Sequence, residues 1–181
     1  MKQFLKILFF ALLAFGLFAC GGNGKKLTLE DMRAAQDVLF NPDGTLNKKE
    51  APKVVKKYCR YTDQNPNDTS AAIWLYHAIE VNIMMKNADK SVELCDQLLQ
   101  QYPQTDWAPM SLLLMGSYVY EKMLNDTAQA HAAYQKVIDN YPGSEYEGEA
   151  QRFIEYLGLT QEERNSRIIM SQMEEEEASE L

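Results

Sequence analysis

The sequence predicts an all-α fold, a stack of about three helical hairpins followed by C-terminal helices. Three observations predict it. Apolar residues recur at three- and four-residue spacing, as in Leu112, Met115, Val119 and Met123, then Ala130, Ala133, Tyr134, Val137 and Ile138. Strand marks, meaning sustained period-two alternation and tight turns between apolar runs, are nearly absent. Three segments align on their final prolines, Pro66, Pro103 and Pro142, which stand 37 and 39 residues apart. Twelve residues before each proline is Val54, Ser91 or Ala130, and eight before it is Tyr58, Cys95 or Tyr134. Five before it is Tyr61, Leu98 or Val137. A recurrence of that length marks a repeat architecture.

The chain starts with Lys2 and Lys6 and an uninterrupted apolar run of 13 residues, Ile7 to Ala19. That run suits a secretory signal and is shorter than the ~20 residues a spanning helix needs. It ends in Leu17-Phe18-Ala19-Cys20, which resembles the lipobox of bacterial lipoproteins. The resemblance implies that residues 1–19 are removed, that the Cys20 thiol carries diacylglycerol and that its amine is acylated. Each buried methylene contributes about 0.8 kcal/mol, so two or three chains make attachment effectively permanent. Residues 20–27, with Gly21-Gly22-Asn23-Gly24 and Lys25-Lys26, form a flexible tether. By the same resemblance, Gly21 in place of aspartate implies transfer to the outer membrane. The lack of an acidic cluster behind Cys20 implies the periplasmic face.

Removing residues 1–19 leaves 162 and takes away two lysines, so the formal charge moves from −8 to about −10. That is one domain's worth of chain. Its acidity and its lack of a basic stripe argue against a nucleic-acid partner. Cys59 and Cys95 fall on different helices at inequivalent repeat positions, which favours two packed thiols over a disulfide.

In residues 28–66 Thr28 caps a helix to about Phe40, Asn41-Pro42-Asp43-Gly44 makes a turn, and Pro52 fits the first turn of the next helix. Residues 71–103 form a second pair, with Trp74 and Ala78 at the bulky and small positions of its first helix; this register needs one extra residue. In the third pair, 109–142, Gly116 lets the two helices approach closely. Ala130 does the same from the other side, and Tyr134 fills the gap. Pro142 ends the second helix, since it lacks an amide hydrogen and disfavours the α region before it. Two extra residues are expected in the inner turn around Leu124-Asn125-Asp126. Glu145 to Leu157 reads as a helix covering the last pair, stopped at Gly158, which closes a repeat domain of 28–158. A helix over 159–173 opens on the capping box Thr160-x2-Glu163 and has Ile168, Ile169, Met170 and Met173 on one side. Residues 174–181 are an acidic tail, in which Glu174 to Glu177 repel one another and should fray.

The spacing Leu112-x2-Met115-Gly116-x2-Val119, Ala130-x3-Tyr134, Pro142 resembles the tetratricopeptide repeat, with Leu112 for its tryptophan and Val119 for its tyrosine. The mature chain over about 28–165 resembles short tetratricopeptide lipoproteins of the Bacteroidota, whose repeats are akin to those of BamD and the TolA-binding periplasmic protein. The stretch from Tyr134 to Tyr146 is typical of that group. The resemblance implies a right-handed α-solenoid whose first helices line a concave groove. It also implies an adaptor that binds protein partners of the cell envelope. Met110, Leu113, Ser117, Tyr120 and Glu121 then point into the groove, with Leu75, Ile79 and Asn82 as their counterparts in the preceding pair. A second reading has Leu75, Ile79 and Leu113 packing against neighbouring helices. Both stand at this point.

The residues offer no catalytic set, cofactor or metal site. His77 and His131 lack zinc spacing, and nucleophile elbow, phosphate loop and dinucleotide fingerprint are missing. Asn41-x-Asp43-Gly44-Thr45-x-Asn47-x2-Glu50 imitates part of a calcium loop, but Leu39 stands where the first oxygen ligand belongs, so it reads as a turn. Asp126-Thr127-Ala128 matches a short O-glycosylation acceptor of the Bacteroidota, while Thr127 also suits a helix cap. The alternative function is binding of carbohydrate or peptidoglycan. Tyr118, Tyr120, Trp107 and Trp74 are the stacking faces for it, and all four fit equally well as core.

Overall fold

The computed structural model describes residues 25–179; the expected signal segment and Cys20 lie outside the described residues. Eight α-helices follow one another: α1 (Leu29–Asp37), α2 (Ala51–Gln64), α3 (Ala72–Met84), α4 (Ala88–Gln101), α5 (Trp107–Leu114), α6 (Thr127–Asn140), α7 (Glu147–Tyr156) and α8 (Gln161–Ser179). A 3-10 turn (Thr69–Ala71) leads into α3, and α5 runs on as a π-helix from Met115 to Met123. Among the described residues the only β-type contact is the single bridge between Phe40 and Leu46 that closes the first turn.

The pairs α1/α2, α3/α4 and α5/α6 are nested hairpins. From α1 to α7 each helix packs on the next in order, and the first helices α3 and α5 also touch. The three second helices end alike, because the proline that follows pushes the residue before it out of the α region. Asn65 (φ −136°, ψ 51°), Tyr102 (−133°, 46°) and Tyr141 (−130°, 48°) have nearly the same backbone. The nine residues aligned twelve, eight and five before those prolines are all buried, from Tyr58 and Tyr134 at 0 % to Cys95 at 3 % and Tyr61 at 6 %. The proline-anchored spacing is therefore the core spacing.

Helix starts follow their expected chemistry in part. Thr28 and Asp31 form a reciprocal capping box on α1, and Pro52 occupies the first turn of α2. Asn87 and Asp126 cap α4 and α6, each accepting from the backbone N–H three residues on. The cap of α6 is thus Asp126, and Thr127 is the exposed first residue of the helix. Lys86 (φ 59°) and Asn125 (φ 53°) hold the same left-handed turn position just before these caps.

The two extra residues of the third pair are placed differently from the sequence expectation. The first helix absorbs much of the insertion by widening into the π-segment, where the Leu124 N–H reaches the Val119 carbonyl five residues back and Asp126 N–H reaches Tyr120. The close approach around Gly116 is as expected. A Cβ built there would lie 2.3 Å from Cε1 and 2.6 Å from Cζ of Tyr134.

Among the described residues, the buried side chains of Thr62, Asn82, Ser91 and Ser111 are satisfied locally, whereas the buried hydroxyls of Tyr58 and Tyr134 have no partner. Thr62 donates to the Cys59 carbonyl, Asn82 to Ala78, Ser91 to Asn87 and Ser111 to Ala108. α7 covers the open side of the third pair, laying Ala150, Phe153, Ile154 and Leu157 against the cluster of Leu112, Leu113, Tyr134 and Val137. It stops before Gly158 (φ 77°). α8 opens on the Thr160–Glu163 box and is held by two ion pairs, Arg164 to Glu121 and Arg167 to Glu155. Its backbone stays helical to Ser179, past residue 173 where fraying was expected. Ile168, Ile169, Met170 and Met173 are 41–61 % exposed.

Candidate functional site

The first helices α3, α5 and α7 present a cleft of about 270 Å³. Tyr76 lines it from α3; Met110, Leu113, Leu114, Ser117 and Tyr118 from α5 and its π-segment; and Tyr146, Glu149 and Phe153 from α7 and the residue that caps it. Three of the eight expected groove residues meet here, Met110, Leu113 and Ser117. Tyr118 is 45 % exposed, with the Lys122 ammonium 4.2 Å from its ring centroid. The Ser117 hydroxyl donates to the Leu113 carbonyl.

The other five are placed elsewhere. Leu75 and Ile79 are 0 % exposed and Asn82 1 %, so these three belong to the core. α3 is clamped by α2, α4 and α5 and is apolar nearly all round, so only a narrow stripe of it is open. That stripe runs through His77, Glu80 and Met84, with Tyr76 and Ile83 at its edge, one position on from the expected register. Tyr120 faces α4 and α6 beside Val92, Cys95 and Gln129. The π-segment causes this, since wider winding turns through fewer degrees per residue and lets later side chains lag behind the α-helical register. Glu121 is held by Arg164 of α8.

Of the aromatic residues considered for sugar stacking, Trp74 and Trp107 pack inside one cluster. Trp74 lies 5.3 Å from the Tyr58 ring, Trp107 5.1 Å from Tyr76, and His77 bridges them at 5.8 and 6.4 Å. Tyr118 alone of the four is exposed. In the turn after α1, the Asp43 carboxylate accepts from the Thr45 N–H and hydroxyl, which makes the segment a self-contained turn. Exposed His131 and half-buried His77 stand apart, the latter 2.7 Å through Nδ1 from Glu80.

Burial sets the titration behaviour of the interior. It pushes the Cys95 thiol from 9.0 to about 11, against a smaller opposing effect of the hydrogen bond with Ser111. It also pushes Tyr58 and Tyr76 from 10.0 to about 12, with the Glu80 carboxylate adding to both. Groups raised in the folded state deprotonate first in the unfolded chain, which then binds fewer protons, so stability falls with pH. Stability is therefore expected to be full below pH 9 and to fall as pH rises through about 11 to 12. Cys95 alone accounts for roughly 2–3 kcal/mol of that loss. Urea unfolding at stepped alkaline pH measures it, and Cys95→Ala should flatten the early part of the decline.

This geometry, nested hairpins with a buried tyrosine under a helical glycine and proline-terminated second helices, corresponds to a known repeat. Residues 75–105 and 110–144 match the tetratricopeptide repeat model. The array is a tetratricopeptide-like solenoid of three hairpins with additional C-terminal helices, the fold class expected from the sequence. The pair α1/α2 lies outside the two matched segments but repeats their core spacing and helix end. No curated protein and no solved structure has detectable similarity to the chain. Tetratricopeptide repeats are typically non-enzymatic scaffolds for protein–protein interaction, so these two repeats suggest protein partners for the chain.

Proposed function

We propose that this chain is a lipid-anchored adaptor of the outer membrane, facing the periplasm and serving envelope assembly or maintenance. The observation that carries the adaptor part is the cleft between α3, α5 and α7, whose apolar walls surround a few polar groups. Recognition of peptide segments in grooves uses the same combination, apolar anchors for affinity and polar groups for position. The anchor part is supported by Leu17-Phe18-Ala19-Cys20 behind its apolar run, and by the tether of small residues that follows. No enzymatic role is assigned.

A crosslinking pull-down from intact envelopes tests the adaptor, with Met110→Ala and Tyr118→Ala as controls. The expected result is one protein partner, lost in both variants. Recovery of muropeptides alone would favour the carbohydrate-binding alternative. Metabolic labelling with a palmitate analogue tests the anchor: label should enter the wild-type chain and be absent from Cys20→Ser. Undiminished label in Cys20→Ser would remove the anchor. Thr127 belongs to the same envelope reading; a mass shift lost in Thr127→Ala would identify it as a glycosylation site.

A further inference from the structure

The chain is acidic as a whole, but its charge is divided unevenly along the array. Residues 25–60 carry nine Lys and Arg against five Asp and Glu, whereas residues 61–181 carry seven against 21. The N-terminal pair is thus formally +4 and the remainder −14. The overall acidity gives no hint of a basic stripe, yet α2 carries one. Lys53, Lys56, Lys57 and Arg60 stand at i, i+3, i+4 and i+7, the spacing of one helix face, while Val54, Val55, Tyr58 and Tyr61 turn into the core. Lys53, Lys56 and Arg60 are exposed and Lys57 is half-buried; Lys48 and Lys49 are exposed just ahead of the helix. Glu50 pairs with Lys53 at 2.7 Å, and Asp31 of α1 lies within electrostatic reach of Lys57. Among the described residues no carboxylate stands within ion-pair distance of Lys56, Lys57 or Arg60. Like charges three and four residues apart repel one another and weaken a helix, so folding alone gives no reason for this stripe. The N-terminal end of the described chain meets the same face. Arg60 Nη2 donates to the Lys25 carbonyl at 2.8 Å, and the Leu27 N–H donates to Gln64 Oε1 at 2.8 Å. Lys25 and Lys26, both exposed, extend the positive patch.

We propose that the α2 stripe lies on the anionic phospholipid surface of a bilayer, as a second attachment beside the anchor. The reach of the chain rests on the anchor reading: Lys25 is five residues from Cys20, so acyl chains there keep the stripe within about 17 Å of the lipid. Charge complementarity supplies the contact. Each Lys or Arg beside an anionic membrane contributes about a fivefold gain in affinity. A chain already held at the surface needs only a weak second contact, because that contact forms within one molecule. The same surface repels the negative remainder of the array. The contact therefore sets an orientation, with the N-terminal pair against the lipid and the later helices projecting away. A nucleic-acid backbone shares the charge of the lipid, but the stripe has no exposed aromatic among its cations on which bases could stack.

Co-sedimentation with vesicles tests the stripe apart from the anchor. The chain from residue 20 with Cys20→Ser contains every described residue and lacks the thiol that would carry lipid. At low salt it is expected to bind vesicles of equal parts phosphatidylglycerol and phosphatidylcholine, and to bind phosphatidylcholine alone roughly tenfold more weakly or less. Added salt should weaken the binding steeply. The triple variant Lys53→Gln, Lys56→Gln, Lys57→Gln should bind about a hundredfold more weakly. Removing three charges elsewhere, by Lys86→Gln, Lys136→Gln and Arg152→Gln, should leave binding close to that of the parent chain. All six side chains are exposed or half-exposed. A thermal melt at or above that of the parent identifies folded variants, since the first triple also relieves like-charge repulsion. No binding to the anionic vesicles, equal binding to both kinds, equal losses in the two triples, or tighter binding of a DNA duplex would overturn the proposal. Its failure leaves palmitate labelling of Cys20 untouched. Absent label with vesicle binding intact would remove the anchor and leave the stripe.

Discussion

Gly116→Val is expected to lower the unfolding free energy by roughly 2–4 kcal/mol, through overpacking against a ring that cannot bend away. The cause is the distance of 2.3 Å between a Cβ at this position and Cε1 of Tyr134. Alanine should cost less, since an overpacking penalty of about 1–3 kcal/mol is offset by up to about 1 kcal/mol of helix propensity. The second pair shows the compensating solution, with Ala78 and Cys95 at the positions of Gly116 and Tyr134. Tyr134→Cys alone should be costly, by roughly 3–5 kcal/mol, because it leaves a cavity. Combined with Gly116→Ala, the loss should fall short of the sum of the single losses by about 1 kcal/mol or more. Urea denaturation of the four proteins measures this coupling. Simple additivity would mean that close approach is not what keeps residue 116 a glycine.

Leu75→Ala and Ile79→Ala should each destabilise the chain by about 2–5 kcal/mol, the range for emptying a buried aliphatic site. Both are fully buried in the cluster that joins α2, α3 and α4. Met84→Ala and Tyr118→Ala, on the open stripe and the cleft rim, should stay within roughly 0.5 kcal/mol of wild type. The contrast separates core from groove on adjacent turns of helix. If Leu75 and Ile79 faced a partner instead, their variants would melt normally and lose binding.

These two experiments also mark where the sequence could and could not be read. The positions counted back from Pro66, Pro103 and Pro142 were legible, because a proline fixes the helix end and every buried residue is then a set number of turns behind it. Gly116 and Tyr134 were legible for a related reason: a glycine inside an apolar helical stripe marks a close approach. The open face of α3 was not. Its sequence from Ala72 to Met84 is apolar on almost every side, so periodicity contains no outward direction, and one residue of register rotates the face by about 100°. Tyr120 was misplaced for another reason. An insertion reads the same in sequence whether a turn lengthens or a helix widens, and here the helix widens. The Arg164–Glu121 contact spans 43 residues and follows no local pattern. Nor did any signal show that α8 would return to the array at that point.

An adaptor of this build must hold its protein partner in the cleft between α3, α5 and α7. A photo-crosslinking amino acid placed at Tyr118, and in a parallel chain at exposed Asp139 on α6, tests it in intact envelopes. One discrete protein adduct is predicted from position 118 and none from 139. Equal adducts from both positions, or none from 118 in a chain that is folded and correctly exported, would contradict it.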